Sequence, residues 1–160
     1  MGEVYKARDT RLDRIVAVKV SNQEFSERFE REAHAVASLN HPHVCTLHDV
    51  GPNYLVMEYV DGTVLRGPLP VAQALIYAVE ICDALDAAHK KGIIHRDLKP
   101  ANILVTKSGV KLLDFGLAKI VLSKSSATKS GQSADRPVDA TLTMALTGKN
   151  EIVGTLYRAT

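Results

Sequence analysis

His95-Arg96-Asp97-Leu98-Lys99-Pro100-Ala101-Asn102, followed twelve residues later by Asp114-Phe115-Gly116, is the stretch on which the reading of this 160-residue sequence turns. Alone, His-Arg-Asp or Asp-Phe-Gly is an ordinary turn tripeptide. Their weight comes from their order and from what surrounds them. Between them, Ile103 to Val105 and Val110 to Leu113 read as a short hairpin closed at Lys107-Ser108-Gly109, which sets Asp114 just beyond the second strand. Upstream lies the clearest helix, about Pro70 to Lys91, with an apolar stripe of Val71, Leu75, Ala78, Cys82 and Leu85. Pro70 suits its first turn and Gly92 its stop.

Further out, Val4 to Ala7 alternates, Arg11-Leu12-Asp13-Arg14 is a polar turn, and Ile15 to Val20 is a β-branched strand. Strand residues two apart share a face, so Lys19 lies with Ile15 and Ala17 and marks either a solvated edge or a site. A helix is expected over about Gln23 to Leu39, with Ser21 and Glu24 at capping-box spacing and Phe25, Phe29, Val36 and Leu39 on its apolar side. Glu32 falls on or beside that stripe. A carboxylate there is costly unless a cation meets it, and Lys19 is the obvious cation; the alternative is a stripe edge in water. His41-Pro42-His43 ends the helix. Strands over about Cys45 to Val50 and Tyr54 to Tyr59 flank a Gly51-Pro52-Asn53 turn, and Asp61 to Pro70 is a loop. Ser123 to Ser133 is polar and serine-rich and reads as a flexible loop.

Composition narrows the class. With 46% hydrophobic and 24% charged residues the chain is globular, and a net charge of +2 is too balanced to announce a nucleic acid or an anionic membrane surface. No stretch is long and apolar enough to span a bilayer, and no signal core follows Met1. Cys45 and Cys82 form no disulfide framework and suit a reducing cytosol, so a cytoplasmic location is expected. His34, His41, His43 and His48 with Cys45 raise a zinc site only weakly, because His-x-His around a proline is poor zinc spacing.

The motifs in their order resemble the protein-kinase family, and within it the bacterial serine/threonine kinases. Val16-Ala17-Val18-Lys19 resembles the strand-borne lysine motif. Glu32 stands where the helix glutamate belongs, and Val56 to Val60 resembles the last small-lobe strand and the hinge. His95 to Asn102 resembles the catalytic loop and Asp114-Phe115-Gly116 the metal motif. The resemblance runs from Met1 to about Lys119 and is weaker afterwards. It implies an α+β, two-lobed fold: residues 1–60 an antiparallel small lobe with one helix, residues 61–160 the first part of a helical large lobe, together a partial kinase domain.

The implied activity is transfer of the γ-phosphate of ATP to serine or threonine hydroxyls of a protein, with Mg²⁺. Phosphoryl transfer asks mainly for positioning and charge neutralisation. By resemblance Asp97 orients the attacking hydroxyl, Asn102 and Asp114 hold Mg²⁺, Lys19 held by Glu32 meets the α/β-phosphates, and Lys99 neutralises the γ-phosphate, which favours a Ser/Thr acceptor. Gly2, Val4 and Ala17 above and Leu104 below would enclose the nucleotide. Glu58 and Val60 would offer hinge backbone groups, with Met57 the gatekeeper. Val36, Leu47, His95 and Phe115 would form a packed column.

The departures are equally specific. Only the end of the glycine-rich loop, Gly2-Glu3-Val4, is present, and Gly154-Thr155-Leu156-Tyr157 resembles the segment before an Ala-Pro-Glu motif that does not follow. The expectation is a domain cut at both ends, whose long helix exposes an apolar face open to self-association. Lys119 to Val153 would be the activation segment. Thr141, Thr143 and Thr147 are phosphorylation candidates that Arg96 would read, and Thr155 would face the substrate. Two alternatives stay open: an inactive kinase-like remnant that binds nucleotide or a partner, and a small-molecule phosphotransferase sharing the His95, Asp97 and Asn102 spacing.

Overall fold

A computed structural model describes residues 3–115, together with the backbone of 142–143 and 155–158. The small lobe begins with β1 (Glu3–Asp9) and β2 (Arg14–Val20), paired antiparallel from Glu3 opposite Val20 to Asp9 opposite Arg14. Helix α1 (Glu27–Ala37) follows, then β3 (Leu47–Val50) and β4 (Tyr54–Glu58). β4 pairs with β2 and with β3, so the chain folds into the expected antiparallel sheet.

Alternation along β2 decides what each face does. Val16 and Val18 are buried and pack with Ala7, Tyr54 and Val56 on one face. Ala17 and Lys19 point to the other, half-buried face. Lys19 is therefore no edge lysine; it reaches across the molecule.

Helix α1 starts later than the Ser21/Glu24 pattern suggests. Ser26 is the N-cap, its hydroxyl accepting from Phe29 N at 3.3 Å. Ser21 and Phe25 spend their own amides on the β3–β4 turn instead, donating to Asn53 O at 2.7 Å and Pro52 O at 2.6 Å. A segment tied down that way cannot be helical, so the cap passes to the next serine.

The large-lobe part contains β5 (Thr63–Val64), α2 (Val71–Lys90), a 3-10 turn at Pro100–Asn102, β6 (Ile103–Thr106) and β7 (Gly109–Leu112). β5, β6 and β7 form a three-stranded antiparallel sheet in that order. Helix α2 ends as its sequence suggests: Gly92 takes φ +72°, and its N–H donates to His89 O at 2.8 Å. At the β6–β7 turn Gly109 has φ +115°, and a Cβ there would stand 2.8 Å from the Glu80 carboxylate that accepts Val110 N. That contact docks α2 on β7.

The buried face of α2 differs from the expected one. Ala84 and Ala88 are fully buried, with Tyr77, Ile81 and Leu85 beside them. Val71, Leu75 and Val79 are exposed at 76%, 61% and 69%. Cys82 is exposed as well. The helix is apolar nearly all round, so periodicity could not say which side meets the sheet.

One core joins the lobes. Phe29, Ala33, Val36 and Leu39 of the α1 region pack with Leu47 and Leu55 of the small sheet, Ala84 and Ala88 of α2, and Val110, Leu112 and Phe115. The chain between α1 and β3 serves as the mortar: Val44 forms a parallel bridge with Leu112, Cys45 N donates to Leu112 O, and Leu112 N donates to His43 O, both at 2.9 Å.

β8 (Leu142–Thr143) and β9 (Thr155–Arg158) extend the small-lobe sheet, giving the order β3-β4-β2-β1-β9-β8. This was not foreseen: residues 155–158 were expected with the large lobe. An unpaired β1 edge offers a row of N–H and C=O groups, and β9 satisfies them with Tyr5 opposite Arg158 and Lys6 opposite Tyr157. Gly2, Gly116, the serine-rich stretch 123–133, Thr141 and Thr147 lie outside the described residues.

Candidate active site

After α2 the chain buries Ile93 and His95 and then turns sharply. Arg96 sits at φ +63°, and Asp97 N donates to His95 O at 2.9 Å. This fold-back brings three predicted residues together. Lys99 Nζ lies 2.7 Å from Asp97 Oδ2, and Asn102 Nδ2 donates to Asp97 O at 2.8 Å and to Asp97 Oδ2 at 3.1 Å. The hydrogen bond from Lys99, helped by that from Asn102, holds the Asp97 carboxyl below its ordinary range. Asp97 is thus a carboxylate throughout the neutral range, fixed by donors rather than by burial.

The loop is fastened to the metal motif by one backbone bond, Leu113 N to Asn102 O at 2.9 Å. Asp114 follows at φ +55°, and the Phe115 ring stands 4.6 Å from the His95 ring. Val36, Leu47, His95 and Phe115 are all buried. Asn102 turns its amide nitrogen to Asp97, so Oδ1 is the oxygen it could offer a cation. Asp114 and Asn102 thus present hard oxygen donors from adjoining loops, a set that suits Mg²⁺, which takes few protein ligands and completes its shell with phosphate and water. Among the described residues no group of three His, Cys, Asp or Glu side chains has the arrangement to hold a metal.

The expected Lys19–Glu32 pair is not made. Lys19 Nζ contacts Asp114 Oδ2 at 2.7 Å, while Glu32 accepts from Arg96 at 2.9 Å and from Arg28 at 3.1 Å. Each cation has a carboxylate, but the partners are exchanged relative to the expectation. The reason is electrostatic near-equivalence: these groups are partly solvated, and ion pairs of that kind differ by only about 1 kcal/mol. Sequence reasoning missed Arg96 as the partner of Glu32. The positive φ that aims it could not be read from the motif.

Of the residues expected to line a nucleotide, Val4, Ala17, Met57, Glu58, Val60 and Leu104 are all half-buried. Val4 lies opposite Lys19 and Ala17 opposite Met57 in the sheet register. Leu104 sits on β6 opposite Lys111. The Glu58 carboxylate is engaged by Lys111 Nζ at 2.7 Å and Thr46 N at 3.2 Å. Lys111 escaped the sequence reading, although a lysine between buried Val110 and Leu112 is the same signal that singled out Lys19.

His95 has a depressed pKa because burial disfavours its charged form, an effect larger than the opposing help from the Leu113 and His95 backbone and from the Asp114 and Asp97 carboxylates. The unfolded chain therefore binds more protons, and stability falls as pH drops below about 6.5. His48 is depressed for the same reason. We expect the unfolding midpoint to fall between pH 7.5 and 5.5, and His95→Phe to flatten that slope without removing it. An unchanged slope in the variant, followed by circular dichroism, would assign the effect elsewhere.

The comparisons with known proteins agree with this architecture. Residues 1–136 match the protein kinase domain, and the chain belongs to the protein kinase family. It is 42% identical over 151 residues to the serine/threonine-protein kinase PknB of Mycobacterium leprae, covering 81% of this chain and 24% of that protein. It is 48% identical over 136 residues to the probable serine/threonine-protein kinase CPE1738 of Clostridium perfringens, covering 74% and 20%. Among solved structures, the PknI kinase domain of Mycobacterium tuberculosis superposes with a TM-score of 0.65 at 36% identity, over 73% of this chain and 54% of that one. Rad53 in complex with AMP-PNP gives 0.61 at 33% identity, over 72% and 35%. The chain thus spans a quarter or less of these curated relatives and about half of the PknI domain. Among the described residues no helix is long and apolar enough to cross a membrane.

Proposed function

We propose that this chain carries an ATP- and Mg²⁺-dependent protein serine/threonine kinase activity. The observation that carries the reading is the Asp97–Lys99–Asn102 cluster, fastened to Asp114 through the Leu113–Asn102 bond. Asp97, ionised and held by two donors, accepts a hydrogen bond from the acceptor hydroxyl and takes its proton as the oxygen bonds to the γ-phosphorus of ATP and the bond to the β,γ-bridging oxygen breaks, releasing ADP. Lys99, already at that carboxylate, shields the charge of the transferring phosphoryl group. Lys19, paired with Asp114 at 2.7 Å, is the cation that would meet the phosphate oxygens of a bound nucleotide. Mg²⁺, when bound, neutralises phosphate charge, and Asn102 and Asp114 are the residues that would hold it.

Lys99 on the catalytic carboxylate and the serine/threonine kinases among the relatives favour a Ser/Thr acceptor on a protein over a small-molecule acceptor. A nucleotide analogue in the Rad53 complex supports the same use of the cleft. Dependence on ATP, together with free thiols at Cys45 and Cys82, supports a cytoplasmic site of action.

Calorimetry with Mg·ATP tests the reading. The wild-type chain is expected to bind, and Asp114→Ala to lose at least tenfold in affinity as a carboxylate ligand is removed. Equal affinity in the two proteins, or no binding by the wild type, would overturn it for this chain.

A further inference from the structure

The end of β4 carries a charge arrangement that the reaction does not call for. Glu58 N donates to Thr46 O at 2.8 Å, and its carboxylate accepts Thr46 N at 3.2 Å, so backbone and side chain grip the same residue. Lys111 Nζ lies 2.7 Å from that carboxylate and 3.4 Å from Val44 O. The His43–Cys45 backbone is in turn bonded to Leu112 on both sides, and His43 Nδ1 stands 2.9 Å from Val110 O. Three pieces of chain meet here: the last small-lobe strand, the segment between α1 and β3, and the strand that ends in the metal motif.

The pair is shielded enough to matter. The Lys111 and Glu58 side chains are 18% and 30% exposed, against 52% and 30% for Lys99 and Asp97. β7 is stiff: Val110 and Leu112, flanking Lys111, are 0% exposed. Lys111 stands three residues before Asp114 on this fixed strand, and Glu58 two residues before Val60. A constraint between Glu58 and Lys111 is therefore a constraint between the two ends of the nucleotide site.

We propose that the Glu58–Lys111 ion pair is a positioning clamp that sets the separation between the base-facing backbone at Glu58–Val60 and the cation-facing carboxylate of Asp114. It rests on the nucleotide reading given above. Its consequence is selective: it strengthens binding of a ligand that touches both ends and leaves a ligand touching one end unaffected, because only the former needs the two ends in fixed relation.

Three probes separate these cases: adenosine for the base end, Mg·tripolyphosphate for the cation end, and Mg·ATP for both. Lys111→Met keeps the alkyl stem and removes the charge. In that variant Mg·ATP affinity is expected to fall about tenfold, the scale of a lost charge-assisted contact that orients its neighbours, while the other two change less than about twofold. Lys111→Arg is expected to restore most of the loss. Unchanged Mg·ATP affinity, or equal weakening of all three probes, would overturn the clamp. If the wild type binds none of them, the nucleotide reading fails, and the clamp is judged by hydrogen exchange alone. Lys111→Met should then speed exchange at the Thr46 amide, which loses a fixed acceptor, and spare the Leu112 amide. No change at Thr46 would overturn it.

Discussion

Truncating Leu112 to alanine is expected to lower the unfolding free energy by about 3–5 kcal/mol, the range for deleting a fully buried leucine from a core that cannot collapse around the gap. Leu112 is 0% exposed, and the backbone on both its sides is bonded to the His43–Cys45 segment. Those bonds hold the walls apart, so relaxation is restricted and the cost falls toward the upper end. It shares its cluster with Val36 and Leu47 of the small lobe and Ala84 and Ala88 of α2. The cavity would therefore loosen both lobes at once. For a domain stable by about 5–15 kcal/mol this is a large fraction, and a midpoint drop of roughly 10 °C should follow. Leu12→Ala is the control: Leu12 is 65% exposed at the β1–β2 turn and should change stability by less than about 0.5 kcal/mol. Similar costs in the two variants, measured by denaturant titration, would contradict the single shared core.

Asp97→Asn is expected to lower phosphotransfer to a serine- and threonine-containing acceptor peptide by about 10²–10⁴-fold, the usual worth of a positioned general base. The substitution keeps the shape and leaves Asn102 and Lys99 in place, but an amide cannot take the hydroxyl proton. Affinity for Mg·ATP should change little, since the residues proposed to hold the cation are Asn102 and Asp114. Radiolabel transfer for the rate and calorimetry for the affinity separate the two effects. A parallel loss of both would place Asp97 in nucleotide binding instead, and full retained transfer would remove it from the chemistry.

Much of this was legible before any coordinates. The polar motifs named the catalytic loop, and their spacing required the intervening hairpin, which runs from Ile103 to Leu112 as β6 and β7. The long helix was bounded correctly because Pro70 and Gly92 act locally, through missing donors and accessible dihedrals. Beyond Lys111 and the placement of β9, three features escaped, each for a physical reason. The start of α1 depended on amides of Ser21 and Phe25 bonding to a distant turn. The buried face of α2 depended on which apolar side found the sheet. The partner of Lys19 depended on a balance among Lys19, Arg96, Glu32 and Asp114, four charges that can pair in two ways at nearly equal energy. Motif reading identifies such groups but not their pairing.

Arg96 and Asp114 share a feature that bears on how substitutions at these positions should be interpreted. Both are non-glycine residues with φ near +60°, at +63° and +55°. Side chains with a Cβ pay about 1–2 kcal/mol for that backbone, and arginine has no short polar group to soften the cost as aspartate does. Glycine would relieve it at either position. Variants selected only for folding would therefore drift toward glycine here, while variants selected for charge would keep Arg96 and Asp114 at a thermodynamic loss. A library screened once for solubility and once for nucleotide binding would pull position 114 in opposite directions, marking it as a place where tolerance of change and retention of chemistry are opposed.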